Sequence, residues 1–411
     1  MKSLSRRLTL VIGFLLLSNR WLNWEAGKRF LLVEDVRSYE LLARSAPSLP
    51  TGDVPYHHAQ RLFIHYIVGC FYKIFSLPLG IAYEIWALFI AGAIVAVIHR
   101  ILLRLKLGVD AVTVVLAVLL LNPYTFRYYF IVPGMIADLL FVLGLSIAIL
   151  GLVDVSVGGL LAGLTLATLG RQAAILILPG LLLWILFAQP WEKFTRVKKL
   201  LVCGASVAAV MGTYRITGMI VLPFTGAPQL TVHDFDLWTW ISGPLFTVSG
   251  LFEHILRVLL PFFFPFALIA GAGFLKNRNR LPAEFWASLV MFGGTLFQPL
   301  MVNPKSMGHN ESRHAAVGFV IILIMSAYVL RAANDCLRHE VRFANTRWAW
   351  VFWICLGMSS LHHMFSAFSP WTQTQSGGFA LMHILAAMIG AYAISGLLRS
   401  RFQASSSSQS A

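Results

Sequence analysis

Charged residues are scarce in this chain of 411 residues. Asp, Glu, Lys and Arg make up 12% of it and hydrophobic residues 58%, whereas soluble domains carry about 25% charged residues. Such a chain cannot cover a folded surface with groups that water solvates, which excludes a soluble domain and indicates an integral membrane protein. Cysteine is scarce too. The four cysteines form neither a CxxC pair nor a metal-ligand spacing, so no disulfide framework is predicted.

Acidic residues are also few, 17 against 32 Lys and Arg, which gives a net charge of +15. A charge of this size is typical of nucleic-acid-binding proteins, but its placement argues otherwise. The basic residues lie mostly between hydrophobic segments, where they set the orientation of a membrane protein. We therefore expect no nucleic-acid partner.

Hydrophobic segments long enough to cross a bilayer recur along the chain. With the N-terminus in the cytoplasm, every inward-facing segment longer than a turn is basic, as the positive-inside rule requires, so both termini are predicted to be cytoplasmic. The predicted fold class is an all-α polytopic integral membrane protein with about twelve transmembrane helices. The candidate spans lie at 8–24, 79–99, 108–122, 134–152, 156–170, 173–189, 200–221, 258–275, 283–302, 315–331, 348–366 and 379–398.

The same orientation predicts polar segments on the outer face, at 25–78, 222–257, 303–314 and 367–378. Within the first of them, the stretch 61–77 is apolar but short and carries ionisable residues. We predict that it is a helix lying on the membrane surface. Residues 1–403 then form a single transmembrane domain, and the Ser-rich segment 404–411 is predicted to be disordered.

A pair of acids, Glu34 and Asp35, follows the first hydrophobic segment on the predicted outer face. A carboxylate at this position can act as a general base that removes a proton from an attacking hydroxyl. The pair precedes Tyr39 and a short helical pattern, which would hold the acid at the beginning of a helix. The alternative interpretation is a pair of solvated loop acids without a chemical role.

Three arginines, Arg127, Arg171 and Arg313, stand near the outer ends of hydrophobic segments. A guanidinium near lipid needs an anionic partner, and a lipid-linked phosphate or diphosphate is an anion that arginine binds with two parallel hydrogen bonds. We predict that these arginines bind such a phosphate. Lys305, in the same polar segment, and His314, which follows Arg313, are predicted to contribute.

The same residues allow other interpretations. The arginines could form an internal ion pair, for example with Asp138, or extend to lipid headgroups. His309 and His314, with Glu311 between them, could bind a metal, but their spacing lacks the HExxH pattern of a helical site. We therefore prefer phosphate binding and predict neither a metal nor a cofactor.

Taken together, these motifs resemble those of the GT-C superfamily, integral membrane glycosyltransferases that use polyprenyl-phosphate sugars as donors. In this chain the acid motif follows the first helix, a surface helix begins at Arg61, and the fifth and sixth spans meet at a Thr-Leu-Gly-Arg171 turn. A late outer segment ends in Arg313-His314 just before a span. The resemblance covers about residues 8–330, but His314 stands where a tyrosine is more usual and no large C-terminal soluble domain follows.

The resemblance implies an inverting transfer of a sugar to a cell-envelope glycan or lipid, at the periplasmic face of a bacterial inner membrane. Asp35, with Glu34 as the alternate, would deprotonate the acceptor hydroxyl. Arg171, Arg313 and Lys305 would stabilise the departing lipid phosphate. Contacts with the sugar or the acceptor are expected from Arg61, His57, His58 and Tyr39.

Two other functions fit a polytopic chain of this kind. Twelve spans with both termini inside also describe a transporter or a lipid-linked-sugar flippase, although such proteins are built from repeated halves and we find none in this sequence. An O-antigen-type polymerase or ligase would place its catalytic loop late in the chain, and the segment 222–257 is long enough for that role.

Overall fold

A computed structural model describes residues 2–19, 33–51, 54–225, 248–273, 278–301, 311–337, 347–361 and 377–407. Every regular element in these ranges is a helix. The chain is thus an α-helical protein of membrane type, as its hydropathy predicts. Six segments are long and apolar enough to cross a membrane, namely Leu79–Arg104, Val109–Ile131, Pro133–Asp154, Arg196–Thr225, Gly250–Gly271 and Ala380–Leu397.

The helices of the N-terminal half, in chain order, are α1 (Lys2–Ser18), α2 (Val33–Ser45), α3 (Tyr56–Ala59), α4 (Leu62–Ile74), α5 (Leu79–Arg104), α6 (Val109–Leu121), α7 (Phe126–Ile131), α8 (Ile136–Asp154), α9 (Val157–Gly170) and α10 (Ala174–Phe187). Those of the C-terminal half are α11 (Arg196–Thr225), α12 (Val248–Leu259), α13 (Phe263–Gly271), α14 (Ala283–Met301), α15 (Glu311–Ala316), α16 (Phe319–Leu337), α17 (Arg347–Ser360) and α18 (Gly377–Ser407).

Helices α6 to α8 lie at the centre of the bundle and α11 at its edge. In the segment Val109–Ile131, 89% of the most apolar stretch of 18 residues is buried. In Arg196–Thr225, the corresponding buried share is 11%. Helix α11 exposes large apolar side chains such as Leu201 and Met219. Because an apolar surface of this extent is not stable against water, its composition suits contact with lipid.

Ion pairs join helix termini at one end of the bundle, which we call the Arg7 end. Arg7 in α1 pairs with Asp110 at the start of α6. Arg100 and Arg104 at the end of α5 lie 3.2 and 2.8 Å from Asp154 at the end of α8. A short connection joins α5 to α6, so both groups of charges lie at the same end. The opposite end, where α6 and α9 finish and α8 begins, is called the Arg171 end.

Helices α8 and α9 pack so closely that their contact is between backbones. A Cβ atom added to Gly163 would lie 2.3 Å from the backbone nitrogen of Ala148, and one added to Gly170 would lie 2.4 Å from that of Phe141. The turn between the helices is tight because Val155 adopts a left-handed conformation with φ of 54° and Ser156 caps α9 by accepting a hydrogen bond from the Gly159 backbone at 3.2 Å.

Helix boundaries differ from the predicted segments in several places. The predicted span 258–275 begins inside α12, and a 3₁₀ turn at Leu260–Phe262 separates α12 from α13; a proline at this point removes a helical hydrogen bond. The predicted span 315–331 is displaced, because α16 starts at Phe319 after the separate short helix α15. Helix α18 continues to Ser407, into the segment predicted to be disordered, since extending an existing helix costs little.

Candidate functional site

Among the described residues, four basic side chains and one carboxylate lie near one another at the Arg171 end. Asp138 is 1% exposed, and its Oδ1 lies 3.2 Å from Nη1 of Arg171 while its Oδ2 lies 3.7 Å from Nε of Arg313. His314 contacts both arginines, and Arg61 lies within electrostatic range of Arg171. We call this group the Asp138 cluster. It consists of Asp138, Arg171, Arg313, His314 and Arg61.

The helices place these residues through backbone packing. Asp138 lies in the first turn of α8, and Arg171 directly follows the last residue of α9. Because Gly170 rests against the carbonyl of Ala137, with a hypothetical Cβ only 2.7 Å from that oxygen, the next residue is brought beside the start of α8. Arg171 therefore meets Asp138 as a direct result of the close α8–α9 contact.

Arg313 enters the cluster from α15. The hydroxyl of Ser312 donates a hydrogen bond of 2.6 Å to the carbonyl of Arg257 in α12, which fixes the short helix. Nη1 of Arg313 lies 3.2 Å from the sulfur of Met135, in the 3₁₀ turn before α8. The arginine is thus held between two elements at the Arg171 end, with 3% of its surface exposed.

His314 lies between the two guanidinium groups. Its Nδ1 is 2.7 Å from Nη2 of Arg171, and its Nε2 is 3.2 Å from Nη2 of Arg313. Arginine only donates hydrogen bonds, and an imidazole accepts through at most one nitrogen, so at most one of these contacts is a hydrogen bond. The second places two donor groups against each other, which is electrostatically unfavourable.

The ion pairs in the cluster are electrostatic contacts without hydrogen-bond geometry. Among the described residues, Arg171 Nη1 and Asp138 Oδ2 have no hydrogen-bond partner. Burying a polar atom without a hydrogen-bond partner destabilises the folded protein. In the part of the chain that the structure describes, the cluster holds three guanidiniums and a single carboxylate, so its arrangement suits an added anion with several acceptor oxygens.

A second polar network joins α2 to the start of α4. Arg61 donates a hydrogen bond to the hydroxyl of Tyr39, and Nδ1 of His58 lies 3.0 Å from the hydroxyl of Ser38. Tyr39 is fully buried and Ser38 is 8% exposed. These contacts fix the first half of α2 against the segment that carries Arg61, a member of the Asp138 cluster.

Helix α2 is also anchored by His65 and Tyr83, two residues that were not predicted as site residues from the sequence. The ring of His65 stacks on that of Tyr39 with centroids 4.1 Å apart, and its Nδ1 lies 2.8 Å from the Tyr83 hydroxyl. Tyr83 in turn donates to the backbone carbonyl of Tyr39 at 3.2 Å. Burial lowers the pKa of His65 well below 6.5, and the nearby Arg61 and His58 lower it further. His65 is therefore neutral.

A pair of glutamines, also missed from the sequence, connects the two networks. Nε2 of Gln172 donates a hydrogen bond of 2.7 Å to Oε1 of Gln60. Gln172 follows Arg171, and Gln60 precedes Arg61, so this contact ties the α9–α10 turn to the start of α4. Nε2 of Gln60 is buried and has no hydrogen-bond partner among the described residues. No sequence pattern singles out such a pair, because its members are far apart in the chain.

The predicted base lies on helix α2, near the Tyr39 network. The backbone of Glu34 and Asp35 forms the first turn of α2, as predicted, but their side chains lie outside the described residues, as does all of Lys305. Asp35 precedes Tyr39 by one helical turn, so the two positions share a helix face. That face carries Tyr39, the partner of Arg61.

Arg127 does not join the Asp138 cluster, although the sequence predicts that it acts with Arg171 and Arg313. Its Nε and Nη2 donate hydrogen bonds of 2.9 and 2.6 Å to the hydroxyls of Ser360 and Ser18. The reason lies in helix geometry. Tyr129, two positions further along α7, lies within electrostatic range of Asp138, Arg171 and Arg313, and residues two apart on a helix point in nearly opposite directions.

The remaining predicted contacts divide between the interior and the surface. His58, Arg61 and Tyr39 are buried in the network just described, whereas His57 is exposed and its ring packs edge-on against His58 at 4.1 Å. The sequence predicts Asp138 only as an alternative partner for the arginines, whereas in the structure it contacts both Arg171 and Arg313. Within the described ranges, no group of three His, Cys, Asp or Glu residues is arranged to hold a metal ion.

Comparison with known proteins gives no further guidance. No protein-family model matches this chain, and comparisons with curated proteins and with solved structures gave no significant match. The function must therefore be inferred from the residues and their arrangement.

Proposed function

We propose that this protein is a membrane glycosyltransferase of the GT-C type, which moves a sugar from a polyprenyl-phosphate donor to a glycan or lipid acceptor. The observation that carries the proposal is the Asp138 cluster. Arg171, Arg313, His314 and Arg61 converge around one described carboxylate, beside the helix that bears Asp35. A phosphate would supply an acceptor for Arg171, whose buried Nη1 has no hydrogen-bond partner among the described residues.

In this proposal helix α2 and the Asp138 cluster have separate roles. Asp35, with Glu34 as the alternate, removes the proton from the acceptor hydroxyl. The hydroxyl oxygen attacks the anomeric carbon, and the bond from that carbon to the donor phosphate breaks with inversion. The electron pair leaves with the lipid phosphate, whose increased charge is stabilised by Arg171 and Arg313. Arg61 and Tyr39 hold the reacting groups near α2.

The proposal includes a topology of about twelve spans, with both termini in the cytoplasm. The Arg7 end, which holds Arg7, Arg100 and Arg104, would face the cytoplasm of a bacterium. The Arg171 end would then face the periplasm across the inner membrane, where lipid-linked sugars are used. Helices α9 and α10 have 14 residues each, about 21 Å of helix, so as spans they would need a locally thin or distorted bilayer.

Transport is the less favoured function because of where the cluster lies along the helices. Asp138 is in the first turn of α8, Arg171 directly follows α9, and Arg313 lies in the short helix α15 that precedes α16. Substrate sites of transporters typically lie near the middle of the membrane, between repeated halves. A site built from helix ends on one side fits a reaction at the membrane surface.

The proposal is tested by incubating membranes that contain the protein with a panel of radiolabelled polyprenyl-phosphate sugars. We expect transfer with at least one donor and a loss of about 100-fold or more in Asp35→Asn, the range that a general base contributes. Glu40→Gln is the matched control, because Glu40 lies on the same helix and pairs with Arg44. No transfer from any donor, or full activity of both Asp35→Asn and Glu34→Gln, would contradict the proposal.

A further inference from the structure

Arg127 occupies a second buried site at the Arg171 end. Its side chain is fully buried, and the described partners of its guanidinium are two serine hydroxyls and the ring of Phe14, 5.9 Å from Cζ. Its Nη1 has no hydrogen-bond partner among the described residues. No described carboxylate forms an ion pair with it, in contrast to Arg171 and Arg313.

The described surroundings of Arg127 offset its charge only in part. The C-terminal ends of α1 and α17, which carry Ser18 and Ser360, have negative partial charges that favour a cation. Arg127 itself lies in the first turn of α7, whose N-terminal end has the opposite partial charge. A guanidinium buried in this way is stable when a full anion completes its hydrogen bonds.

Helix α7 separates this site from the Asp138 cluster. Arg127 faces Ser18 and Ser360 on one side of the helix, and Tyr129 faces Asp138 on the other. The two groups of arginines therefore lie at the same end of the bundle, on opposite sides of a six-residue helix. A single phosphate bound to Arg171 and Arg313 would therefore not contact Arg127.

We infer that Arg127, with Ser18 and Ser360, forms a second binding site for a phosphate group, distinct from the Asp138 cluster. Arginine and two hydroxyls suit a phosphate, because the guanidinium donates two parallel hydrogen bonds and the hydroxyls can donate others. Under the proposed function, on which this last role rests, the site would hold the phosphate of a second substrate while the Asp138 cluster holds that of the donor.

The test is binding to the full-length protein in detergent, without any sugar transfer. Dihexanoyl phosphatidic acid is the lipid-phosphate probe, inorganic phosphate the free-phosphate probe, and dihexanoyl glycerol the neutral control. Thermal unfolding and native mass spectrometry are recorded for wild type, Arg127→Gln, Arg171→Gln and the double variant. Arg215→Gln, at an exposed position of α11, is the control for loss of an arginine.

We expect wild type to bind about two phosphate groups, each single variant about one and the double variant none, with a matching loss of the ligand-induced rise in Tm. Without ligand, Arg127→Gln should unfold at the same or a higher temperature than wild type, because it removes an incompletely compensated charge. Binding of the lipid probe alone identifies a lipid headgroup as the source, and equal binding of inorganic phosphate identifies free phosphate.

The inference is overturned if Arg127→Gln binds as much of both probes as wild type, or if the neutral lipid binds equally well. It is also overturned if Arg127 has an internal acidic partner. Glu25 is the nearest acid in sequence to Ser18. In that case Arg127→Gln and Glu25→Gln would each lower Tm without ligand, and the combined variant would be no less stable than either. Failure of the proposed transferase activity would leave these binding results unchanged.

Discussion

The guanidinium of Arg171 lies 3.2 Å from the carboxylate of Asp138, and the two side chains are only 2% and 1% exposed. The residues are 33 positions apart, one beyond the end of α9 and the other in the first turn of α8. Each charge would be costly to bury alone, so the pair can exist only because the α8–α9 contact holds both members together. It is the structural centre of the proposed phosphate site.

Asp138→Asn should destabilise the protein strongly. The substitution leaves Arg171 and Arg313 buried without their carboxylate, a loss that costs about 3–5 kcal/mol for a buried pair. Asp154→Asn is the control, because its partners Arg100 and Arg104 are more than half exposed and such pairs contribute about 0–1 kcal/mol. Unfolding in a denaturing detergent measures both. Equal effects of the two variants would mean that Asp138 does not compensate buried charge.

Gly170→Ala should displace Arg171 from Asp138. The added Cβ would lie 2.4 Å from the backbone nitrogen of Phe141, so α9 must move, at about 1–3 kcal/mol for overpacking. We expect a lower Tm together with weaker donor binding, measured as a higher KM. Gly158→Ala, on the same helix with open space around it, should be neutral or slightly stabilising. A Gly170→Ala variant with unchanged KM would show that the contact does not position Arg171.

Tyr39→Phe should weaken the attachment of α2 to Arg61 while leaving the packing of the ring on His65 intact. The lost hydrogen bond has a charged donor and is worth about 1.5–3 kcal/mol. If α2 positions the catalytic base, kcat falls more than KM rises, because the change acts on the geometry of proton removal. Tyr66→Phe is the control, since its hydroxyl bonds to the carbonyl of Pro47. Unchanged kcat in Tyr39→Phe would remove Tyr39 from the proposed site.

His65 should make the fold sensitive to mild acid. Burial and nearby positive charge lower the pKa of His65 in the folded protein below 6.5. Below pH 6.5, His65 is therefore protonated in the unfolded chain while it stays neutral in the folded protein. Its contribution to stability is therefore complete above pH 6.5 and is lost as the pH falls below that value. When the pH is lowered from 7.5 to 5, the Tm of His65→Gln should decrease less than the Tm of wild type. His57→Gln, an exposed neighbour, should follow the wild-type curve.

Much of the helical framework can be predicted from the sequence, because hydrophobic length and the breaks between segments are local properties. The predicted spans 108–122, 156–170 and 283–302 coincide with α6, α9 and α14 to within two residues. Predictions fail where a local break competes with a long apolar run. Pro261 separates α12 from α13, and the turn after Ala316 separates α15 from α16, although hydropathy hardly changes at either place.

By itself, the sequence determined that this is a helical protein of membrane type and that Arg171 stands at a helix end, since composition and spacing along the chain decide both. Only the tertiary structure decided that Asp138 is the carboxylate these arginines share and that Gln60 meets Gln172. It also decided that Arg127 faces away from the Asp138 cluster, across α7. These are contacts between side chains on different helices, and they depend on helix rotation and on close backbone packing such as that at Gly170, which no local pattern records.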